Sequence, residues 1–183
     1  MRKSLVIGLT FVVTTVFGSA ASGSATGPTI RVLGRGLFVP NALIAETLHF
    51  LPGEITVASG STLTFVKAEA SPDPHTLTLV DKSQLPKTFD QVFSCGSSKS
   101  DPCSVAEHAH FPHHAKPVVE VDSDTTPGLS APGDSLLLCP NPNLQQQSCA
   151  KGSVSWIVSA PAGSTLYFLC VIHPWMQGVI HVA

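Results

Sequence analysis

Near the C-terminal end of this 183-residue chain, Cys170, His173 and Met176 fall within one seven-residue stretch. A thiolate and a thioether are soft donors that favour Cu(I), and an imidazole serves both common oxidation states. The trio therefore suits a copper ion that changes its charge. The set lacks a second nitrogen, and His75, behind the Ser71-Pro72-Asp73-Pro74 corner, supplies it. Coincidence would make these a buried cysteine, a polar loop residue and a core methionine. Against that, the chain has only two methionines, one of them Met1, and the single internal one stands at ligand spacing from His173.

The elements that must position these donors read as strands. The chain is rich in Val, Leu, Thr, Ser, Gly and Pro, and helix formers rarely recur at helical spacing, so the expected class is all-β. Strand-like runs between turn residues cover 29–39, 54–58, 62–67, 75–80, 153–159, 165–171 and 178–182. That spacing predicts a sandwich or barrel. Residues two apart on a strand share a face, so His75 lies with Leu77 and Leu79, and Cys170 with Leu166 and Phe168. Both candidate ligands then project from core-facing sides at strand ends. Ile55 and Val57 are expected to pair with Leu63 and Phe65 in a hairpin across Ala58-Ser59-Gly60-Ser61. Trp156 and Phe168 read as core, and His181, alternating with Ile180 and Val182, as outward-facing; His49 has no supporting context.

Between about 81 and 152 the pattern dissolves into an irregular insertion with many prolines. It carries Cys95, Cys103, Cys139 and Cys149, for which three disulfide connectivities exist. Short local spacing favours Cys95 with Cys103 and Cys139 with Cys149, which leaves Cys170 as the odd thiol. The same insertion holds His108, His110, His113 and His114, which either form a second metal site or, the preferred reading, lie on a solvated loop.

The C-terminal run from Leu166 to Ile180 resembles the cupredoxins. Its Cys-x2-His-x2-Met spacing is most similar to the short ligand loop of amicyanin-type members, two residues shorter between His and Met than in plastocyanins. The resemblance extends to Leu51–Phe65, Pro74-His75-Thr76-Leu77 and Ala160–Tyr167, about half of the chain beyond its N-terminal segment. It implies a Greek-key β-sandwich, here with a long disulfide-stapled loop insertion, and one type 1 (blue) copper ion. The ligands it implies are His75, Cys170, His173 and axial Met176. It further implies that His173 reaches solvent as the electron exit, with Pro174 and Trp175 forming an apolar docking patch for a redox partner protein. The resemblance also implies a bracing asparagine shortly before the first histidine, where this chain reads Phe65-Val66-Lys67-Ala68-Glu69.

The first 25 residues read as a secretory signal peptide: Arg2 and Lys3, an apolar run from Leu5 to Phe17, then small residues with cleavage expected after Ala20 or Ala25. The run is short for a membrane span, so no stable span is expected after cleavage. Residues 26–183 then form one domain, exported to a periplasm or the exterior, and expected to be monomeric. Without Arg2 and Lys3 the formal charge is −4 with histidine neutral, which gives no reason to expect nucleic-acid binding. No nucleophile with an adjacent base appears, and neither does the Cys-x3-Cys pattern of binuclear copper sites. The expected function is a one-electron carrier and not an enzyme. The rival readings are a copper carrier or sequestering protein that uses the histidine-rich loop, and an extracellular binding module whose metal is incidental.

Overall fold

A computed structural model describes residues 27–68, 73–113, 116–139 and 152–183. The proposed signal peptide, Ser71, Pro72, His114 and Cys149 lie outside the described residues.

Twelve strands and two short helices are described. The strands are β1 (Thr29–Leu33), β2 (Gly36–Val39), β3 (Leu43–Glu46), β4 (His49–Leu51), β5 (Glu54–Val57), β6 (Thr62–Lys67), β7 (His75–Val80), β8 (Glu120–Val121), β9 (Ser135–Leu138), β10 (Ser153–Ile157), β11 (Thr165–Leu169) and β12 (Gln177–Val182). The helices are α1 (Phe89–Ser94) and α2 (Pro102–His110). One sheet runs β10-β6-β1-β4 and the other β5-β12-β11-β7-β9-β8, with β2 and β3 forming a separate hairpin. The expected all-β sandwich is therefore what the chain builds.

Alternation explains the core. Ile30, Val32, Leu63, Phe65 and Phe50 of the first sheet meet Leu77, Leu79, Leu166, Phe168 and Ile180 of the second in one buried cluster. Phe50 is its centre, with ring centroids 6.0 Å from Phe65 and 5.0 Å from Phe168. Gly178 sits opposite Phe168 across the β11–β12 ladder. Any Cβ at Gly178 would run into the Phe168 ring and lie 2.7 Å from the Gly53 carbonyl, so only glycine lets this ring pack over the strand beside the C-terminal loop.

Several expectations need correction. The run 29–39 is two strands, because Gly34, at φ 121°, turns the chain tightly past the Thr47 backbone. β5 and β6 do not form a hairpin: β5 pairs in parallel with β12, and β6 pairs with β1 and β10. Their apolar residues meet across the core from opposite sheets instead of side by side in one. The insertion at 81–152 is not irregular throughout. It contributes β9, which pairs with β7 inside the sheet, and both helices. Asp101 caps α2 by accepting from the Ser104 amide, with Pro102 in the first turn. The Cys95–Cys103 disulfide ties the end of α1 to α2. Cys139 is also disulfide-bonded, while its expected partner Cys149 lies outside the described residues.

The helices explain why β7 is buried at every position. Its second face lies under α2, where Val80 packs with Cys103, Ala106, Leu169 and Val171. The start of β9 is fixed by Asp134, which is fully buried. Its carboxylate accepts from the amides of Ser123, Ser130 and Ala131 at 2.8–2.9 Å and from the hydroxyls of Ser123 and Ser130 at 2.7 and 3.1 Å. Burial alone would push this carboxyl up; these donors outweigh it and hold its pKa below the ordinary 3.8. A depressed native value means the anchor stabilises the fold above that ordinary value and is lost as pH falls through the native one. Asp134→Asn is expected to lower stability by about 2–3 kcal/mol near neutrality. In urea titrations the gap to wild type should narrow below about pH 4, and a gap that stays constant down to about pH 2 would mean that the charge is not what anchors the loop.

Candidate metal centre

Two neighbouring strands and one turn make the site. His75 opens β7, and its side chain faces the core as the alternation requires. Cys170 follows the last residue of β11, next to β7 in the sheet. The chain then turns so tightly that the Cys170 amide donates to the Met176 carbonyl at 3.0 Å and the Met176 amide to the His173 carbonyl at 2.8 Å. Gln177 closes the turn, its side-chain amide donating to the carbonyls of Pro174 and Pro86 at 3.1 and 2.8 Å. Spacing of two residues between each pair of donors is what this turn needs to bring Cys170 and His173 to one side.

The donor atoms of His75, Cys170 and His173 all lie within 4.8 Å of one another. The Cys170 sulfur is 3.6 Å from His173 Nδ1, and the two imidazole rings are 4.8 Å apart. Sulfur and nitrogen sharing one metal, at bond lengths of about 2.3 and 2.0 Å, sit about 3.5–3.7 Å apart. The spacing and the soft, mixed donor set fit copper. Met176 is buried within the same core cluster. Its position in the turn is fixed by the two backbone bonds just described.

Cys170 is the free cysteine among the described residues and is fully buried. Burial pushes its thiol pKa up, against amides of Thr76, His173 and Ile172 and the Thr76 hydroxyl, which pull it down. Those donors favour a thiolate but do not suffice for one in this apolar setting. A cation held by His75, Cys170 and His173 would supply the remaining stabilisation and favour loss of the thiol proton.

Thr76 is the residue that reading the sequence missed. Its amide donates to the Cys170 sulfur at 3.3 Å, and its hydroxyl accepts from the Val171 amide at 2.9 Å. It thus braces the ligand loop from the residue after the first histidine and not from the segment before it. The available signal was Thr76 and Thr78 alternating with His75 and Leu77, a pattern that ordinarily marks a solvent face.

The surface differs from the expectation. His173 is only 5% exposed and Pro174 is buried, while Trp175 is 40% exposed. The Trp175 ring lies edge-on to His173 at 5.2 Å, and its indole N–H donates to the Leu48 carbonyl at 3.2 Å. Beside it, Ile44 of β3 and Phe89, Val92 and Phe93 of α1 line an apolar groove of about 320 Å³. Glu46 and Asp73 each bring a carboxylate oxygen within 4.8 Å of a His173 ring nitrogen.

The histidine-rich segment is not a solvated loop. Its first half is the end of α2, where His108 is exposed and His110 fully buried, while the exposed His113 follows the helix. His110 Nδ1 is 2.6 Å from the Val118 carbonyl and Nε2 is 2.6 Å from the Ser135 hydroxyl. Burial pulls its pKa down, partly offset by the Val118 carbonyl. His108 and His113 stand 6.1 Å apart by ring centroid, and among the described residues they join no group of converging donors. His181 pairs with Glu54 at 2.6 Å on the surface, and the exposed His49 bonds the Thr47 carbonyl.

No family model and no curated protein matches the chain. Solved structures do. The dithionite-reduced auracyanin of the photosynthetic bacterium Roseiflexus castenholzii is 22% identical, with a TM-score of 0.44 covering 88% of this chain and 99% of its own. A purple cupredoxin from Nitrosopumilus maritimus is 12% identical at a TM-score of 0.41, covering 85% and 99% of the two chains. Auracyanin A, a "blue" copper protein of the green thermophilic photosynthetic bacterium Chloroflexus aurantiacus, is 20% identical at 0.39, covering 86% and 100%. The solved structures to which the chain is similar are cupredoxins, the family that its ligand loop resembles.

Proposed function

We propose that this chain is an exported cupredoxin that holds one type 1 copper ion through His75, Cys170, His173 and Met176 and carries single electrons. One observation carries the reading: two imidazoles and a free cysteine sulfur converge in the interior on a braced turn. Copper bound there would supply a one-electron couple. The chain's own contribution is to hold the donors still and keep water away. Thr76 fixes the sulfur, the bonds between Cys170, His173 and Met176 fix the turn, and the surrounding core excludes solvent. A donor set that cannot rearrange suits a metal that must change charge without changing its ligands.

Electrons would pass at the Trp175 face, where His173 lies beneath the indole and the groove gives a partner protein an apolar seat. Export accords with the N-terminal apolar run and with the Cys95–Cys103 disulfide, a bond that persists in oxidising compartments. A carrier role in preference to an enzymatic one rests on the single domain and on the lack of a nucleophile–base pair in the sequence. Copper sequestration by the histidine-rich segment loses support, because His110 is committed to Val118 and Ser135.

Two predictions test the proposal. Given one equivalent of Cu(II), the protein is expected to show an intense visible thiolate band that Cys170→Ser abolishes; identical spectra from both would overturn the assignment. Trp175→Glu is expected to keep that band but slow electron self-exchange between oxidised and reduced copies on the order of tenfold, by setting like charges at the contact. An unchanged exchange rate, followed by NMR line broadening, would move the electron exit elsewhere.

A further inference from the structure

A line of buried polar groups connects α2 to the candidate ligand Cys170. His110 Nε2 lies 2.6 Å from the Ser135 hydroxyl, which lies 2.7 Å from the Thr78 hydroxyl. The Thr78 hydroxyl oxygen in turn lies 2.9 Å from the Thr76 hydroxyl oxygen. Thr76 then holds both the Cys170 sulfur and the Val171 amide. All four side chains are at most 1% exposed. Four interior polar groups, each at short hydrogen-bond distance from the next, are costly to leave partly satisfied. A fold that needed only a packed interface here would have used apolar residues, as it does on the other face of β7.

The line also has a fixed end. The Val118 carbonyl can only accept, so His110 Nδ1 donates to it, which orients the ring and points Nε2 at Ser135. Ser135 is in turn held by Asp134, whose five bonds fix the first residue of β9. From these observations we propose that His110 is a positioning residue for the metal centre: through Ser135 and Thr78 it sets the orientation of Thr76, and so the hydrogen bonds that reach the Cys170 sulfur. The helix that carries His110 belongs to the insertion, which thereby takes part in tuning the site it does not touch. This inference rests on the proposed copper site for its consequence, but not for its existence, since the relay is built from the protein alone.

A donor to the sulfur stabilises the more electron-rich, reduced state of the site. Loosening the relay therefore lowers the reduction potential and strengthens the metal–thiolate bond. Thr78→Val removes one hydroxyl at nearly constant volume, and His110→Phe removes the anchor. Both are expected to lower the potential and shift the visible band, with Thr78→Ser restoring wild-type values. The double variant should shift little further than either single one, because each breaks the same relay. In metal-free protein, both single variants are expected to speed hydrogen exchange at the Val171 amide on the order of tenfold, which reads the relay without any metal. Folded variants with wild-type potential, band and exchange rate would overturn the inference, as would additive shifts, which would mark two separate packing effects. If His110→Phe does not fold, Thr78→Val and Thr78→Ser decide the question. A wild type that gives no thiolate band sinks the copper reading, while the exchange rates still judge the relay.

Discussion

The rest of the structure depends on keeping one sulfur out of water. Cys170 has no exposure, and a thiolate in such a place is unfavourable unless donors and a cation surround it. The sandwich provides the donors at one end, where a cation could be held. β7 and β11 are neighbours, so the residue that opens β7 and the residue that follows β11 stand side by side without any special loop. What remains is to bring a second imidazole round, which a turn of five residues between Cys170 and Met176 with paired backbone bonds accomplishes. Gly178 and Phe168 pack behind that turn, and a side chain at Gly178 would displace the strand on which it returns.

The insertion would seem ornamental if judged by its lack of pattern, yet it completes the sheet and seals it. Without β9 the free edge of β7 would lie open beside His75. Without α2 the outer face of β7 would present Thr76 and Thr78 to solvent, and water would compete for the hydroxyl that holds Val171. Asp134 links the two contributions, since the loop it gathers begins β9 and sets Ser135 against both Thr78 and His110. On the proposed reading, local stability of this loop and the placement of Thr76 beside Cys170 are expressions of one set of hydrogen bonds.

How much of this the sequence disclosed depends on where periodicity survives. His75 with Leu77 and Leu79, and Cys170 with Phe168, were legible because residues two apart on a strand share a face, even though β7 is buried on both faces. That His75, Cys170 and His173 would converge was read from their donor chemistry, their strand-end positions and the resemblance to the cupredoxins. β9 was not legible: Ser135-Leu136-Leu137-Leu138 is buried on both faces, so it has no alternation to read. The same double burial hid Thr76, because a threonine opposite an apolar residue looks like a surface position until a helix is found covering it. α2 did carry a start signal, Asp101 followed by Pro102, but the histidines after it drew attention to metal chemistry instead of helix capping. The pairing of β5 and β6 failed for another reason. A short turn between two strands permits either a hairpin or a step to the opposite sheet, and only long-range packing chooses.

The surface above His173 shows what local reading cannot supply. A ligand loop alone suggests a histidine edge open to a partner, but in the folded chain the hairpin of β2 and β3, helix α1 and Trp175 rise around it. Exposed Phe38, Ile44, Phe89 and Phe93 lie on these elements, so apolar surface has been moved outward from the ligand to its surroundings. On the proposed reading this arrangement separates two demands that conflict at a bare histidine. The metal needs dryness, and the partner needs contact. Burying His173 under an indole meets the first, and offering that indole as part of a wider apolar groove meets the second. Glu46 and Asp73 at the same ring add a negative rim, so a partner that seats well would carry basic residues around an apolar centre.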